Sequence, residues 1–275
     1  MTSRRTFRDS SGLAELHVAP RARAWTAALL AVALGAAATG ARGQGGPPLV
    51  ADDPETPGDD NWETNLAFIA GRSRARSAVA MPDVDINYGL GERIQLKLDM
   101  PLESVRNSGG DWKTGLGAVQ IGVKWRFVDG GESGLSVSTY PQLLSSWVRA
   151  STRRGIADPG RQFLLPVEVA FPVGEFRLDL EVGRNFVTSG PSQWVAGAIL
   201  GHACRAGTEC LLELRETVDA QGSSLLVNLG LHHDLGLHHD LSRSLSLIAA
   251  LGREFGPSST EPRSVLFYLG VQIRR

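Results

Sequence analysis

The chain has 275 residues, of which 32 are glycine and 14 are proline, and 42% are hydrophobic. This composition is too polar for a membrane protein built from helices, but it suits a membrane β-barrel, whose polar interior offsets its lipid face. The formal net charge of −1 favours neither a nucleic-acid partner nor an anionic membrane surface.

Residues 1–43 have the features of a secretory signal peptide with a long basic n-region. Arg21 and Arg23 precede the apolar run Trp25–Ala38, which is as long as a signal-peptide core and too short to cross a bilayer as a helix. Small residues follow, and Ala41–Gly43 before Gln44 is an acceptable cleavage site, with Ala36–Ala38 as a second candidate. A buried helix of a soluble domain is the alternative for the apolar run. We expect an exported chain.

Two further segments are predicted, 44–60 and 61–275. The first, QGGPPLVADDPETPGDD, is rich in proline and aspartate and has no periodicity, so we expect an extended periplasmic lead-in. The second shows apolar and polar residues in alternation, which predicts β-strands. The twelve predicted strands cover 61–71, 81–88, 92–101, 115–128, 134–146, 161–173, 175–187, 192–203, 210–218, 224–234, 243–255 and 264–274.

The predicted strands have two chemically different faces. In residues 94–100, IQLKLDM, the apolar side chains fall on one face and glutamine, lysine and aspartate on the other. A soluble sandwich would show the same alternation. However, short links such as Gly174 take turns with longer ones such as Trp147–Gly160, and this asymmetry is typical of outer-membrane barrels. We therefore predict an all-β fold, a transmembrane antiparallel up-and-down β-barrel of about twelve strands with its leucines facing lipid.

The polar face of the predicted barrel carries charges of both signs. Thirteen ionisable residues are predicted to line the lumen: Glu63, Asp83, Asp85, Lys97, Asp99, Lys124, Arg126, Glu168, Arg177, Asp179, Glu181, Glu213 and Arg215. Twelve strands lie between the eight of barrels filled by side chains and the sixteen or more of open porins, which indicates a narrow or partly plugged conduit. The alternative is that these charges form salt bridges that only brace the wall.

Several stretches resemble a known family. LVADDPETPGDDNWETN (49–65), DVDINYGLGERIQLKLDMPL (83–102), FPVGEFRLDLEVG (171–183) and the last hairpin are similar to the MetA-pathway phenol-degradation family of outer-membrane proteins. The resemblance covers most of the mature chain and implies an outer-membrane barrel connected with uptake of aromatic or other hydrophobic compounds. The chain departs from outer-membrane barrels at its end, where Arg274 and Arg275 replace the usual terminal aromatic residue.

The predicted function is a channel or transporter for small solutes, without a cofactor and not an enzyme. The expected partners are outer-membrane lipid, the barrel-assembly machinery and a small solute, and not nucleic acid. A structural or adhesive barrel with a closed lumen is one alternative. An outer-membrane hydrolase is another, since serines and the histidines of 232–239 are present, but there is no nucleophile-elbow motif.

The two cysteines are candidates for a disulfide. Cys204 and Cys210 flank the short link RAGTE, and a turn between adjacent strands would bring them together. The periplasm is oxidising and permits the bond.

The repeated sequence LHHDLGLHHDL (231–241) contains weak candidates for metal ligands. Its six-residue period places His232, Asp234, His238 and Asp240 on one face of a strand, and imidazole and carboxylate groups suit a divalent metal. The alternative is a small duplication that lengthens one strand and its turn. We predict no metal site, because no third element is known to converge there.

Overall fold

The computed structural model describes residues 46–131, 134–235, 244–256 and 265–275. The predicted signal peptide, residues 1–43, lies outside this part of the chain. In the described ranges, no helix is both long and apolar enough to cross a membrane.

The described chain is almost entirely β-structure, with one short helix, α1 (Arg149–Arg153), at an end of the barrel. The strands are β1 (Trp62–Arg72), β2 (Arg76–Leu90), β3 (Ile94–Asn107), β4 (Lys113–Leu116), β5 (Val119–Val128), β6 (Ser136–Thr139), β7 (Gln142–Ser145), β8 (Arg161–Val173), β9 (Phe176–Val187), β10 (Gln193–Arg205), β11 (Thr208–Asp219), β12 (Gly222–Asp234), β13 (Ser244–Phe255) and β14 (Val265–Arg274).

These strands form a closed antiparallel barrel. Most strands pair with their neighbours along the chain, and β1 closes the circle by pairing with β14 from Glu63↔Arg274 to Arg72↔Val265. The exceptions are β4 and β5, which follow one another beside β3, and β6 and β7, which follow one another between β5 and β8. Each of these two pairs occupies one position in the wall. The wall therefore has twelve positions, which confirms the predicted fold.

The outside of the barrel is apolar and its inside is charged. Leu96, Trp125 and Leu229 are 40%, 53% and 62% exposed, whereas Lys124 and Glu213 are 1% and 0% exposed. A soluble protein buries its leucines and exposes its charges, so this inverted distribution is that of a wall surrounded by lipid. The leucines of 94–100 therefore face outward, as the alternation predicted.

The two ends of the barrel differ. Trp62 and Arg275 exchange two backbone hydrogen bonds of 2.7 and 2.8 Å at one end, which we call the termini end; the opposite one is the loop end. On the outer surface, Trp62 packs against Tyr88 near the termini end, and Phe163 against Phe186 near the loop end. Aromatic residues at both rims mark the two interfaces of a membrane.

The links between strands are less regular than predicted. The expected long link at 72–80 is reduced to Ser73–Ala75, because β2 begins at Arg76 and pairs with β3. A register shift between Ala80 and Asp83 breaks the alternation at this point, so the pattern hid the first part of the strand. The link Gly91–Arg93 at the termini end is longer than the link Ala220–Gln221 at the loop end. Link length therefore separates the two ends only in part.

Candidate functional site

The segment before β1 enters the barrel instead of lying outside it. We call residues 46–57 the plug. Ala51 is 1% exposed and Asp53 is 2% exposed, and the contacts of the plug come from strands on both sides of the lumen. The expected periplasmic lead-in is therefore a luminal segment. The plug fits the lumen because its apolar residues pack against an apolar part of the wall and its acidic residues pair with lysine and arginine side chains of the wall.

The first half of the plug packs against an apolar part of the wall. Leu49 and Ala51 belong to one cluster of buried residues, which is completed by Ala67, Ile199, Leu211, Ile248, Ala250 and Tyr268. Two glycines make this close packing possible. A Cβ atom at Gly230 would lie 2.9 Å from Leu49, and one at Gly197 would lie 2.9 Å from Ala51, so a larger residue at either position would push the plug away.

Two buried carboxylates of the wall accept hydrogen bonds from the plug backbone. The Oε1 atom of Glu213 accepts from the N–H groups of Val50 (3.1 Å) and Ala51 (2.6 Å), and Glu181 accepts from the N–H group of Asp52 (3.3 Å). An irregular segment inside a barrel has no strand partner for these donors, and each would be costly if left unpaired. The carboxylates thus take the place of a neighbouring strand.

Lys124 is the central contact of the acidic half of the plug. Its Nζ atom lies 2.8 Å from Asp52 Oδ1, and it also donates to the backbone carbonyls of Asp53 and of Glu55 (3.2 Å). Glu168, on the wall behind it, is 3.9 Å away. The Lys124 side chain is 2% exposed, so these ionic contacts act without screening by bulk water.

Two arginines hold the next acidic residue of the plug. Arg126 Nη1 donates to Glu55 Oε2, and Arg177 Nη2 donates to Glu55 Oε1 over 3.1 Å. Arg177 also donates to Asp179 Oδ1 over 2.9 Å. Glu55 therefore joins β5 to β9 across the lumen.

The plug is fastened where it leaves the lumen. Thr56 Oγ1 donates to the carbonyl of Glu92 over 2.8 Å, and Asp59 Oδ1 accepts from the N–H group of Gly91 over 2.9 Å. Gly58 lies so close to Gly89 that a Cβ atom on Gly89 would be 1.7 Å from the Gly58 carbonyl oxygen. The link between β2 and β3 thus fixes the exit of the plug at the termini end.

The two aspartates of the plug respond differently to the lumen. Burial raises the pKa of Asp53 to about 6, although Lys124 acts to lower it. Burial also acts to raise the pKa of Asp52, but the opposing charges of Lys124 and Lys97 bring it below its ordinary value. Asp52 therefore stays ionised at neutral pH and in mild acid, while Asp53 gains a proton in mild acid.

The plug separates two chambers. The loop-end chamber has a volume of about 430 Å³ and includes Asp83, Asp99 and Tyr268 in its lining. The termini-end chamber measures about 900 Å³ and includes Arg177 and Glu209. Both chambers touch the plug, which is therefore the obstacle between them.

A row of amide side chains crosses the wall of the loop-end chamber. Gln120 donates to Gln142, and Asn185 donates to Gln162 (2.9 Å) and Gln193 (3.3 Å). These residues come from β5, β7, β8, β9 and β10, and they are not among the predicted lumen residues because amides are not ionisable. They give one side of the chamber a polar and uncharged surface.

The structure turns all thirteen predicted lumen residues to the inside of the barrel. Apart from the contacts with the plug, several of them pair among themselves or with the end of the chain, as in Lys97–Asp85 (3.2 Å), Arg215–Glu181 (3.5 Å) and Arg274–Glu63 (2.9 Å). Their contact with a solute stays a prediction. Sequence reasoning missed Asp52, Asp53 and Glu55, and the acidic run itself, facing a partly basic lumen, was the one signal for them.

The predicted disulfide is present: Cys204 and Cys210 are joined across the turn between β10 and β11.

His232 and Asp234 border the termini-end chamber, while His238 and Asp240 lie outside the described residues. Within the described ranges there is no group of three or more histidine, cysteine or acidic residues that could hold a metal ion. His233 Nδ1 lies 2.8 Å from Thr208 Oγ1, so its described partner is a threonine and not a serine nucleophile.

Comparison with solved structures supports the fold. The chain is similar to the COG4313 outer membrane channel from Pseudomonas putida F1, with 13% identity, a TM-score of 0.56 and coverage of 82% of this chain and 99% of that chain. The NanC porin (8% identity, TM-score 0.49, coverage 76% and 98%) and the KdgM porin in complex with disordered oligogalacturonate (9%, 0.47, 76% and 97%) are more distant. No protein-family model and no curated protein sequence matches the chain.

Proposed function

We propose that this protein is an outer-membrane channel for small solutes whose lumen is closed by its own plug. The observation that carries the proposal is the pair of chambers, one toward each end, that meet at residues 46–57. The plug is not a strand of the wall, so it can leave the lumen without breaking the barrel. Its contacts are ionic pairs, hydrogen bonds and a small apolar cluster, all of which water or a solute can replace.

The proposed orientation follows from the longest described link. In outer-membrane barrels the short turns lie in the periplasm and the longer loops outside the cell. The longest described link, Ser146–Gly160, lies at the loop end and includes α1. The loop-end chamber would then receive solutes from outside, and the termini-end chamber would release them into the periplasm.

Aromatic or other hydrophobic compounds are the proposed solutes. The resemblance to the MetA-pathway phenol-degradation family supports this choice. The surface under the plug also suits it, because removal of Leu49 and Ala51 would uncover Ile199 and Ile248 opposite Lys124. An aromatic ring would pack on the apolar side of this passage while its polar substituent faces the charged side. The charges of both signs in the lumen are thus compatible with a solute that is only partly polar.

A structural or adhesive barrel is the second candidate, and the many charged contacts of the plug favour it. Planar-bilayer conductance of the refolded mature chain separates the two. We expect small or rare openings from the full mature chain, and larger steps after deletion of residues 46–57. Addition of phenol should reduce these currents if the solute enters the same passage.

A second variant does not depend on folding of the deletion. Gly197→Val should push Ala51 away from β10 and make openings more frequent, because even a Cβ atom at Gly197 would lie 2.9 Å from Ala51, whereas Gly71→Ala, where a Cβ atom meets nothing within 4 Å, is the matched control and should leave the openings unchanged. Refolding can be checked by heat-modifiable migration on gels. A folded deletion variant that never conducts would exclude the channel and leave the structural barrel.

A further inference from the structure

The loop-end chamber contains two carboxylates without a matching cation. Lys97 is paired with Asp85, and Arg215 is paired with Glu181. In the described part of the chain, Asp83 and Asp99 have no lysine, arginine or histidine nitrogen within 4.0 Å, although both line this chamber. Negative charge thus remains here after the other pairs are formed.

Asp83 and Asp99 are diagonal neighbours on the inner face of the adjacent strands β2 and β3: Asp99 stands opposite Asp85, and Asp83 stands opposite Pro101. Diagonal side chains on one face of a sheet are within reach of each other. Neighbouring carboxylates repel, so the two need a proton or another positive group between them. Asp99 Oδ1 also has no hydrogen-bond partner among the described residues. The pair is therefore prepared for a cationic group.

Tyr268 provides an independent sign that a ligand group is missing. The residue is 6% exposed, and its hydroxyl has no hydrogen-bond partner in the described residues. Its ring lies over Gly270, where a Cβ atom would come within 2.9 Å of ring atom Cε1. Tyr268 lines the same chamber as Asp83 and Asp99. Buried hydroxyls normally have a partner, so this one indicates an absent group.

We infer that Asp83, Asp99 and Tyr268 form a binding site for the ammonium group of a small organic cation. An ammonium group has three N–H donors, and the two carboxylates and the hydroxyl oxygen are three acceptors that face one chamber. Divalent calcium or magnesium would require about six oxygen ligands. Ile69 and Leu266 line the same chamber and would contact the carbon chain of the solute.

This site deepens the proposed channel function and rests on it for the route by which the solute arrives. It makes the loop-end chamber a selective entrance in which positively charged solutes collect before they reach the plug. The contacts of Lys124 and Arg177 with the plug close the way beyond this site, so the site would hold an amine until the plug moves.

Binding of propylammonium chloride to the refolded mature chain in detergent tests the inference. Isothermal titration, with the thermal unfolding midpoint as a second readout, should show binding of propylammonium and none of 1-propanol or sodium chloride. Asp83→Asn or Asp99→Asn should weaken binding about tenfold or more, and Tyr268→Phe about threefold to tenfold. Glu209→Gln, in the termini-end chamber, is the matched control and should leave the affinity unchanged.

Unchanged affinity in the two aspartate variants would overturn the site, and so would equal binding of sodium, which would make it a general cation site. If an aspartate variant does not refold, Tyr268→Phe decides alone, because loss of one hydroxyl leaves the ring packing intact. Conductance of the same samples keeps the two proposals apart. A conducting barrel that ignores propylammonium refutes only the site, whereas a silent barrel that binds it refutes only the channel.

Discussion

Replacement of Lys124 by glutamine should release the plug. The Lys124 ammonium group contacts Asp52 at 2.8 Å and two backbone carbonyls of the plug. Glutamine is shorter and uncharged, so it cannot reach these acceptors or balance the Asp52 carboxylate. The barrel wall keeps its backbone ladder, because the β5 pairings do not involve the side chain.

The expected change in the ratio of open to closed channels follows from the burial of the Lys124–Asp52 pair. Breaking a buried ion pair by removal of one partner costs about 3–5 kcal/mol, since the other charge stays without compensation. Part of this cost remains in the wall, because Glu168 lies 3.9 Å from Lys124 and loses the same partner. We therefore expect the closed position of the plug to lose about 3 kcal/mol, the lower limit of this range. Each 1.4 kcal/mol is a factor of ten, so the ratio of open to closed channels should rise about 100-fold.

Single-channel recording in planar bilayers measures this ratio directly as the open probability. Arg274→Gln is the control, because Arg274 pairs with Glu63 at the barrel mouth and its loss leaves the Lys124 contacts in place. Lys124→Arg keeps the charge and should restore part of the closure. If Lys124→Gln folds and its open probability equals that of the unmodified protein, then the Lys124 contacts do not hold the plug and the proposed gate is wrong.

Three other variants test separate parts of the structure. Leu96→Arg should lower the free energy of unfolding by about 2–4 kcal/mol if Leu96 lies near the bilayer midplane, while Leu96→Val should change it little, as urea titration in lipid would show. Cys204→Ser with Cys210→Ser should lower the free energy of unfolding by about 2 kcal/mol, the value for a disulfide that closes a loop of this size, and reduction of the unmodified protein should lower it equally. No change in either sample would show that the disulfide does not stabilise the fold. Asp53 binds its proton more tightly in the folded protein than in the unfolded chain, because its pKa is raised to about 6 in the fold. Its contribution to the free energy of unfolding is therefore present at low pH and is lost as pH rises through 6. The stability of Asp53→Asn relative to the unmodified protein should therefore rise between about pH 4 and 6, and a pH-independent difference would contradict this assignment.

The wall of the barrel was largely predictable because strand alternation is a local property. In β5, Val119–Val128, every second residue is apolar, and this period of two separates an outer from an inner face without knowledge of any partner strand. The same argument placed Asp179 and Glu181 inside, from β9 alone. It failed around Met81 and Pro82, where an irregularity in pairing shifts the phase between Ala80 and Asp83. A shift of phase belongs to a pair of strands and is not visible in one of them.

The sequence by itself determined the twelve strands, their two faces and the charged character of the lumen. Only the tertiary structure decided that residues 46–57 enter that lumen and that Asp52 meets Lys124, 72 positions later in the chain. The alternation of a strand is set by the geometry of neighbouring peptide units, whereas the plug is irregular and has no period to detect. Its position depends on the closed shape of the barrel, which brings Lys124, Arg177 and Glu213 from three distant strands around one space. Such a space exists only after closure, and for this reason the plug could not be predicted from its own residues.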